Sequence, residues 1–238
     1  METLQTQDDY EAFTQRLEPY APKRKLKYLS GKFGSYIVRN VTGCGIYGRD
    51  YYQDDQFQKL YEESVNIGQE KASHLAKVQE HGITIAPTYF VAGTDSFNYL
   101  TLYSLSKEIQ GSNLDTIRHL KTYNEDNLAN TYNNFIINLC AYYEQQFSSD
   151  DFVMDDVAGL HQYKIINTDS NPEIILIDTD INISLPGPGL ATQTINTLEK
   201  SMQNLAQKFS QYEGQLHPSY QSISILKKQI QPTYSSIS

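Results

Sequence analysis

Apolar and polar positions alternate with a short period in the first part of the chain and with a helical period through much of the rest. Residues 1–22 form a polar lead-in with room for one short helix. The stretch KLKYLSGKFGSYIVRNVTGCGIYGRDYY then carries β-forming residues in three runs. These are Leu26, Tyr28 and Phe33; Tyr36, Ile37 and Val38; and Ile46, Tyr47, Tyr51 and Tyr52. Glycines fall between the runs, where turns need them, so a set of strands is expected. From 55 to 81 the period changes. Phe57, Leu60, Tyr61, Ser64, Val65, Gly68, Ala72, Leu75 and Val78 recur at spacings of mostly three or four. That predicts one amphipathic helix, weak at Gly68 and ended by Gly82. ITIAPTYFVAGT and NYLTLYSLSKEI, separated by DSFN, predict strand, turn and strand, with Pro87 at the start of the first.

Residues 114–148 predict a helix whose stripe is Leu128, Tyr132, Phe135, Ile136, Leu139, Tyr143 and Phe147. YKIINTDSNPEIILIDTD predicts a hairpin, Lys164 to Thr168 and Ile174 to Ile177, turning at Asp169 to Pro172. Ile195, Leu198, Met202, Leu205, Phe209 and Tyr212 predict a further helix. Residues 221–238, rich in Ser, Gln and Tyr, read as a loose tail. No internal repeat is present. Strands gather early and helices late, so the expected class is α+β rather than doubly wound α/β.

Composition narrows the function. With 238 residues, the chain suits one large domain or two small lobes. A net charge of −9 makes an extended nucleic acid an unfavourable partner. The basic cluster Lys23, Arg24, Lys25 and Lys27 could touch phosphate, or blunt a solvated strand edge. The two cysteines, Cys44 and Cys140, are far apart and form neither a metal-ligand spacing nor a disulfide framework, which fits a reducing cytoplasm. METLQTQDDYEAF is polar and acidic, unlike a signal peptide, and no apolar run approaches the roughly 20 residues of a membrane helix. No membrane association is expected.

Gly43, Gly45 and Gly48 have the literal spacing G-x-G-x-x-G. A dinucleotide fingerprint needs a helix to begin at once and parallel strands to follow. IYGRDYY follows instead, and it favours strand, so Gly43-Cys44-Gly45 reads as a hairpin turn.

The earlier glycines, in SGKFGSYIV, carry a resemblance. Gly31, Phe33 and Gly34 match the second half of the Gly-rich turn between the first two strands of the protein-kinase-like fold. The resemblance implies a two-lobed molecule: a β-rich small lobe over 23–109 and a mostly helical, reduced large lobe over 110–220. It implies ATP and Mg²⁺ as cofactors, an acceptor that is unknown, and phosphoryl transfer if the site is active. Arg49 would take the place of the phosphate-gripping lysine, oriented by Glu70, with Glu62 and Glu63 as alternatives. SLSKEIQGSNL, with Glu108, resembles the hinge. EIILIDTD resembles the strand that ends in Asp-Phe-Gly, so Asp178 would hold metal. In DDVAGLHQYKII, Asp156 matches the catalytic base, with Asp155 competing, and His161 or Gln162 would stand for the metal-binding Asn. The family's Lys, His-Arg-Asp, Asn and Phe-Gly are all replaced here. A non-catalytic kinase-like module that binds a protein partner is the alternative.

Several of these residues also have plain structural readings. Asp178 and Asp180 end an apolar strand and could either bind a cation or cap the following turn. Arg49 could pair with Asp50 or Asp54. His161 could be a hydrogen-bonded structural residue. His81, beside Gly82, suits a helix C-terminus, and Cys140 suits a buried apolar position.

Overall fold

A computed structural model of the protein describes residues 31–33, 36–41, 47–48, 54–94, 99–119, 125–149, 152–167, 170–180, 182–208 and 216–235. The lysine-rich cluster at 23–27, Gly34, the Gly43-Cys44-Gly45 turn and Arg49 lie outside them. The chain is mixed α+β. It divides into two compact units. One holds the described residues up to Leu75 together with Ala86–Glu108. The other holds Ala76–Ile85 together with the residues from Ile109 onward.

The first unit is built on an antiparallel sheet. Strands β1 (Gly31–Phe33), β2 (Tyr36–Asn40), β3 (Tyr47–Gly48), β5 (Thr88–Thr94) and β6 (Tyr99–Lys107) belong to it. The long strand β6 carries β5 along one edge and β2 and β3 along the other. Phe33 stands opposite Tyr36 in the β1–β2 pair. Leu100, Leu102, Tyr103 and Leu105 of β6 are buried, as are Phe90, Val91 and Ala92 of β5. Helix α1 (Asp54–Glu80) contributes its residues up to Leu75 to this unit. It packs closely on the sheet: a Cβ on Gly68 would sit 3.2 Å from both Leu102 and Phe90. The expected stripe is present, with one difference. Lys71 and His74 are buried beside Ser64, Gly68 and Leu75, because positions 64, 68, 71 and 75 share one helical face.

The second unit takes the last turn of α1, which ends where Gly82 adopts φ 75°, a conformation that favours glycine. His81 bonds the carbonyl of Lys77 through Nδ1 at 2.8 Å, as a histidine at a helix C-terminus can. Strands β4 (Thr84–Ile85), β7 (Ser112–Asn113), β9 (Tyr163–Ile166) and β10 (Glu173–Leu176) form a sheet in the order β4-β10-β9-β7. Only the β10–β4 pair is parallel. Strands β8 (Val153–Met154) and β11 (Ile183–Ser184) make a separate two-stranded ribbon. The hairpin expected at 164–177 is thus the β9–β10 pair, and Asn167 takes φ 53° at its turn, where Asn is tolerated.

Three helices complete this unit: α2 (Glu125–Ser148), α3 (Pro188–Lys208) and α4 (His217–Ser235). All seven residues of the expected α2 stripe are buried. Aromatic rings pack edge to face around them. Phe135 meets Tyr163 at 4.7 Å and Tyr142 meets Tyr143 at 5.1 Å between ring centres.

Two expectations need correction. Residues 114–148 are not one helix: Leu114–His119 form a 3-10 turn and α2 begins at Glu125, both starts carrying an acidic residue in the first turn. Residues 221–235 are not a loose tail but most of α4. Leu216, Ile223, Leu226 and Ile230 are buried there at helical spacing. Each such side chain contributes about 1.5–3 kcal/mol. That outweighs the few tenths of a kcal/mol by which each Ser, Thr or Tyr falls short of Ala in a helix. Ser219, fully buried, donates a 2.5 Å hydrogen bond to Asn133 Oδ1 and fixes α4 on α2.

Candidate functional site

The second unit gathers charged and polar groups around the loop 155–162, between β8 and β9. Both ends of the loop are held by sheet. The β8–β11 ribbon anchors the start, and the Asp155 amide donates to the Asn182 carbonyl at 2.9 Å. At the far end the Gln162 carbonyl accepts from the amides of Ile177 at 2.8 Å and Asp178 at 3.3 Å.

Three buried tyrosines hold the loop from beneath. Tyr142 accepts from the Met154 amide at 3.3 Å. Tyr143 accepts from the Ala158 amide at 2.9 Å and donates to the Asp155 carbonyl at 3.3 Å. Tyr163 donates to the Val157 carbonyl at 2.7 Å. Burial, foremost, pushes the phenols of Tyr143 and Tyr163 well above the usual tyrosine range, so both remain neutral donors. A loop that would otherwise bury unpaired amides and carbonyls is thereby satisfied.

The two adjacent aspartates diverge. Asp155 turns to the ribbon, where Ser184 donates to its Oδ2 at 2.8 Å. Its Oδ1 is buried without a hydrogen-bond partner. Burial raises its pKa above the usual carboxylate value; the Ser184 bond partly offsets this, and the charge of Asp156 adds to it. Asp156 instead lines an open pocket of about 290 Å³ together with Asp115, Gly159, Leu160, His161, Thr197, Lys200, Ser201 and Asn204. Its Oδ2 receives His161 Nε2 at 3.1 Å and Gln162 Nε2 at 3.1 Å. Gly159 makes this possible: a Cβ there would lie 2.7 Å from His161 Cε1 and 2.8 Å from Asp156 Oδ1.

The structure therefore brings Asp156, His161 and Gln162 together on one carboxylate. No family model and no curated protein matches the chain. The site accordingly rests on its own geometry.

The other candidate residues are placed as follows. Asp178 follows β10, and its Oδ1 accepts the Asp180 amide at 3.4 Å, an Asx-type contact that caps the turn after the strand. Glu70 lies on the exposed face of α1, as do Glu62 and Glu63, while the inward face at that level carries Lys71. Glu108 is half-buried just after β6, and the division between the two units falls directly after it. Gly31 and Phe33 lie in β1.

The donor set at 155–162 does not fit Mg²⁺. That ion takes oxygen ligands in near-octahedral geometry. His161 would supply nitrogen, and Gln162 turns its amide nitrogen toward Asp156. Among the described residues no three His, Cys, Asp or Glu side chains gather as a metal-binding group. Among them, also, no helix is long and apolar enough to cross a membrane.

Asp115 and Lys200 were not apparent as site residues in the sequence. The pocket face of α3, Thr197, Lys200, Ser201 and Asn204, shows the i, i+3, i+4, i+7 spacing of one helix side, but nothing local marks that side as functional.

Proposed function

We propose that this chain is a kinase-like module that acts by binding, without phosphoryl transfer. The order of elements supports the kinase-like part. A β-sheet unit with one long helix precedes a unit in which a helix (α2), the loop 155–162, a hairpin (β9–β10) and a strand pairing back on β8 follow in succession. The observation that carries the non-catalytic part is the state of Asp156. The residues that would stand for the metal-binding Asn, His161 and Gln162, both spend a nitrogen on that carboxylate. The exposure of Glu70 agrees, since an orienting carboxylate would face inward. The loop is then a rigid platform that presents Asp156 to a ligand or partner. Purified protein should neither hydrolyse ATP nor be stabilised by ATP with Mg²⁺. Turnover abolished by Asp156→Ala would overturn this reading.

One observation favours a second reading, a nucleotide-binding phosphotransferase. Asp178 stands at the end of an apolar strand, and its own amide donates to the Gln162 carbonyl at 3.3 Å. A Mg²⁺–ATP-dependent stabilisation lost in Asp178→Ala would establish it.

A further inference from the structure

The pocket beside Asp156 holds opposite charges that do not neutralise one another. Asp115, on the 3-10 turn, and Lys200, on α3, line the same 290 Å³ space, yet neither makes an ion pair among the described residues. Asp156 commits only Oδ2, to His161 and Gln162, and its Oδ1 has no hydrogen-bond partner among the described residues. The missing Cβ of Gly159 leaves that oxygen uncrowded. Asn204, one helical turn from Lys200, likewise has no partner for its side-chain amide among the described residues. Asp115, Asp156, Lys200 and Asn204 thus line one open space.

Chemistry dictates what would pair them. Two carboxylates accept hydrogen bonds from an ammonium group, and an ammonium donates three. A lysine and an amide donor suit a carboxylate. The volume lies at the lower limit of ordinary small-molecule sites, which begin at about 300 Å³. The geometry points to a small zwitterion, an amino-acid-like solute. Its ammonium would meet Asp156 Oδ1 and Asp115, and its carboxylate would meet Lys200 and Asn204. A singly charged ligand would leave one of the two sets unpaired, which is where selectivity arises.

The inference shares Asp156 with the function proposed above but needs neither nucleotide nor metal, and it is read by binding alone. The full chain is titrated calorimetrically with glycine, β-alanine, γ-aminobutyrate and ε-aminocaproate, which separate the two charges by increasing lengths. Butylamine and butyrate serve as single-charge controls. At least one zwitterion should bind, with both controls weaker by about tenfold or more. Lys200→Gln and Asp115→Asn, both exposed positions whose replacement spares the core, should each weaken that zwitterion by about tenfold. No binding of any zwitterion at roughly 10 mM would overturn the inference. So would equal binding of butylamine, or indifference to Lys200→Gln. Failure here with no ATP turnover removes only the zwitterion. Zwitterion binding accompanied by ATP turnover removes only the non-catalytic reading.

Discussion

His161 Nε2 and Asp156 Oδ2 lie 3.1 Å apart beside Gly159, where a Cβ would come within 2.7 Å of His161 Cε1 and 2.8 Å of Asp156 Oδ1. Gly159 has φ −72° and ψ 117°, which alanine adopts without strain. Gly159→Ala should therefore leave global stability within about 1 kcal/mol, the loss in packing being partly offset by a stiffer unfolded chain. It should nevertheless displace His161. NMR of the imidazole would show the changed environment, alongside a denaturant melt. An unchanged histidine signal would refute the close packing described here.

Tyr143 acts on the loop through its hydroxyl. Tyr143→Phe keeps the ring that stacks with Phe147 at 5.9 Å but strands the Ala158 amide. A buried donor left unpaired costs about 1–3 kcal/mol. Urea unfolding should report a loss of that order with an unchanged slope. A loss below about 0.5 kcal/mol would mean that the hydroxyl does not hold the loop.

Much of this scaffold is legible in the sequence, because burial in it follows simple periods. Leu128 to Phe147 fall on one face of α2, and Ile174 to Leu176 form a short apolar run bounded by turn residues, so helix and hairpin are both foreseen. Helix α4 is not. Its apolar residues are sparse among Ser, Gln and Tyr, and one of its contacts, Ser219 to Asn133, joins residues 86 apart through polar atoms. The site is half legible. The five-residue step from Asp156 to His161 can be read along the chain and proves to be a contact. Asp115 and Lys200 reach the same pocket from a turn and a helix far away in sequence, and no local pattern announces that meeting.

Asp155 carries a pH dependence whose sign follows from its environment. Its folded pKa is raised, chiefly by burial, so the folded state prefers the protonated carboxyl. Stability from this group is fully present below its unfolded value, near 3.8, and is lost as pH rises through the folded value. Asp155→Asn should raise the melting temperature at pH 7, and the gain should shrink toward pH 4. A destabilised variant at pH 7 would show that the Ser184 bond to the charged carboxylate outweighs the burial.

Cys140 gives the opposite end of the pH scale. Burial, with a smaller contribution from Glu144, pushes its thiol up to about 12. The unfolded thiol ionises near 9.0 and the folded one does not, so stability is intact below that pH and falls as pH rises toward 12. Cys140→Ala should make the decline in stability just above pH 9 shallower. In the native protein the thiol should resist a thiol-specific reagent at pH 8. Rapid labelling without denaturant would contradict the burial.

The central claim, binding without phosphoryl transfer, is tested most directly by a thermal melt of the wild-type chain and Asp178→Ala with and without millimolar ATP and Mg²⁺, coupled to an assay of ATP hydrolysis. A ligand at 100 times its dissociation constant stabilises the native state by about 2.7 kcal/mol, a shift of several degrees. The account predicts no ATP-dependent shift in either protein and no turnover. A rise in the wild type that disappears in Asp178→Ala, with hydrolysis above background, would contradict it.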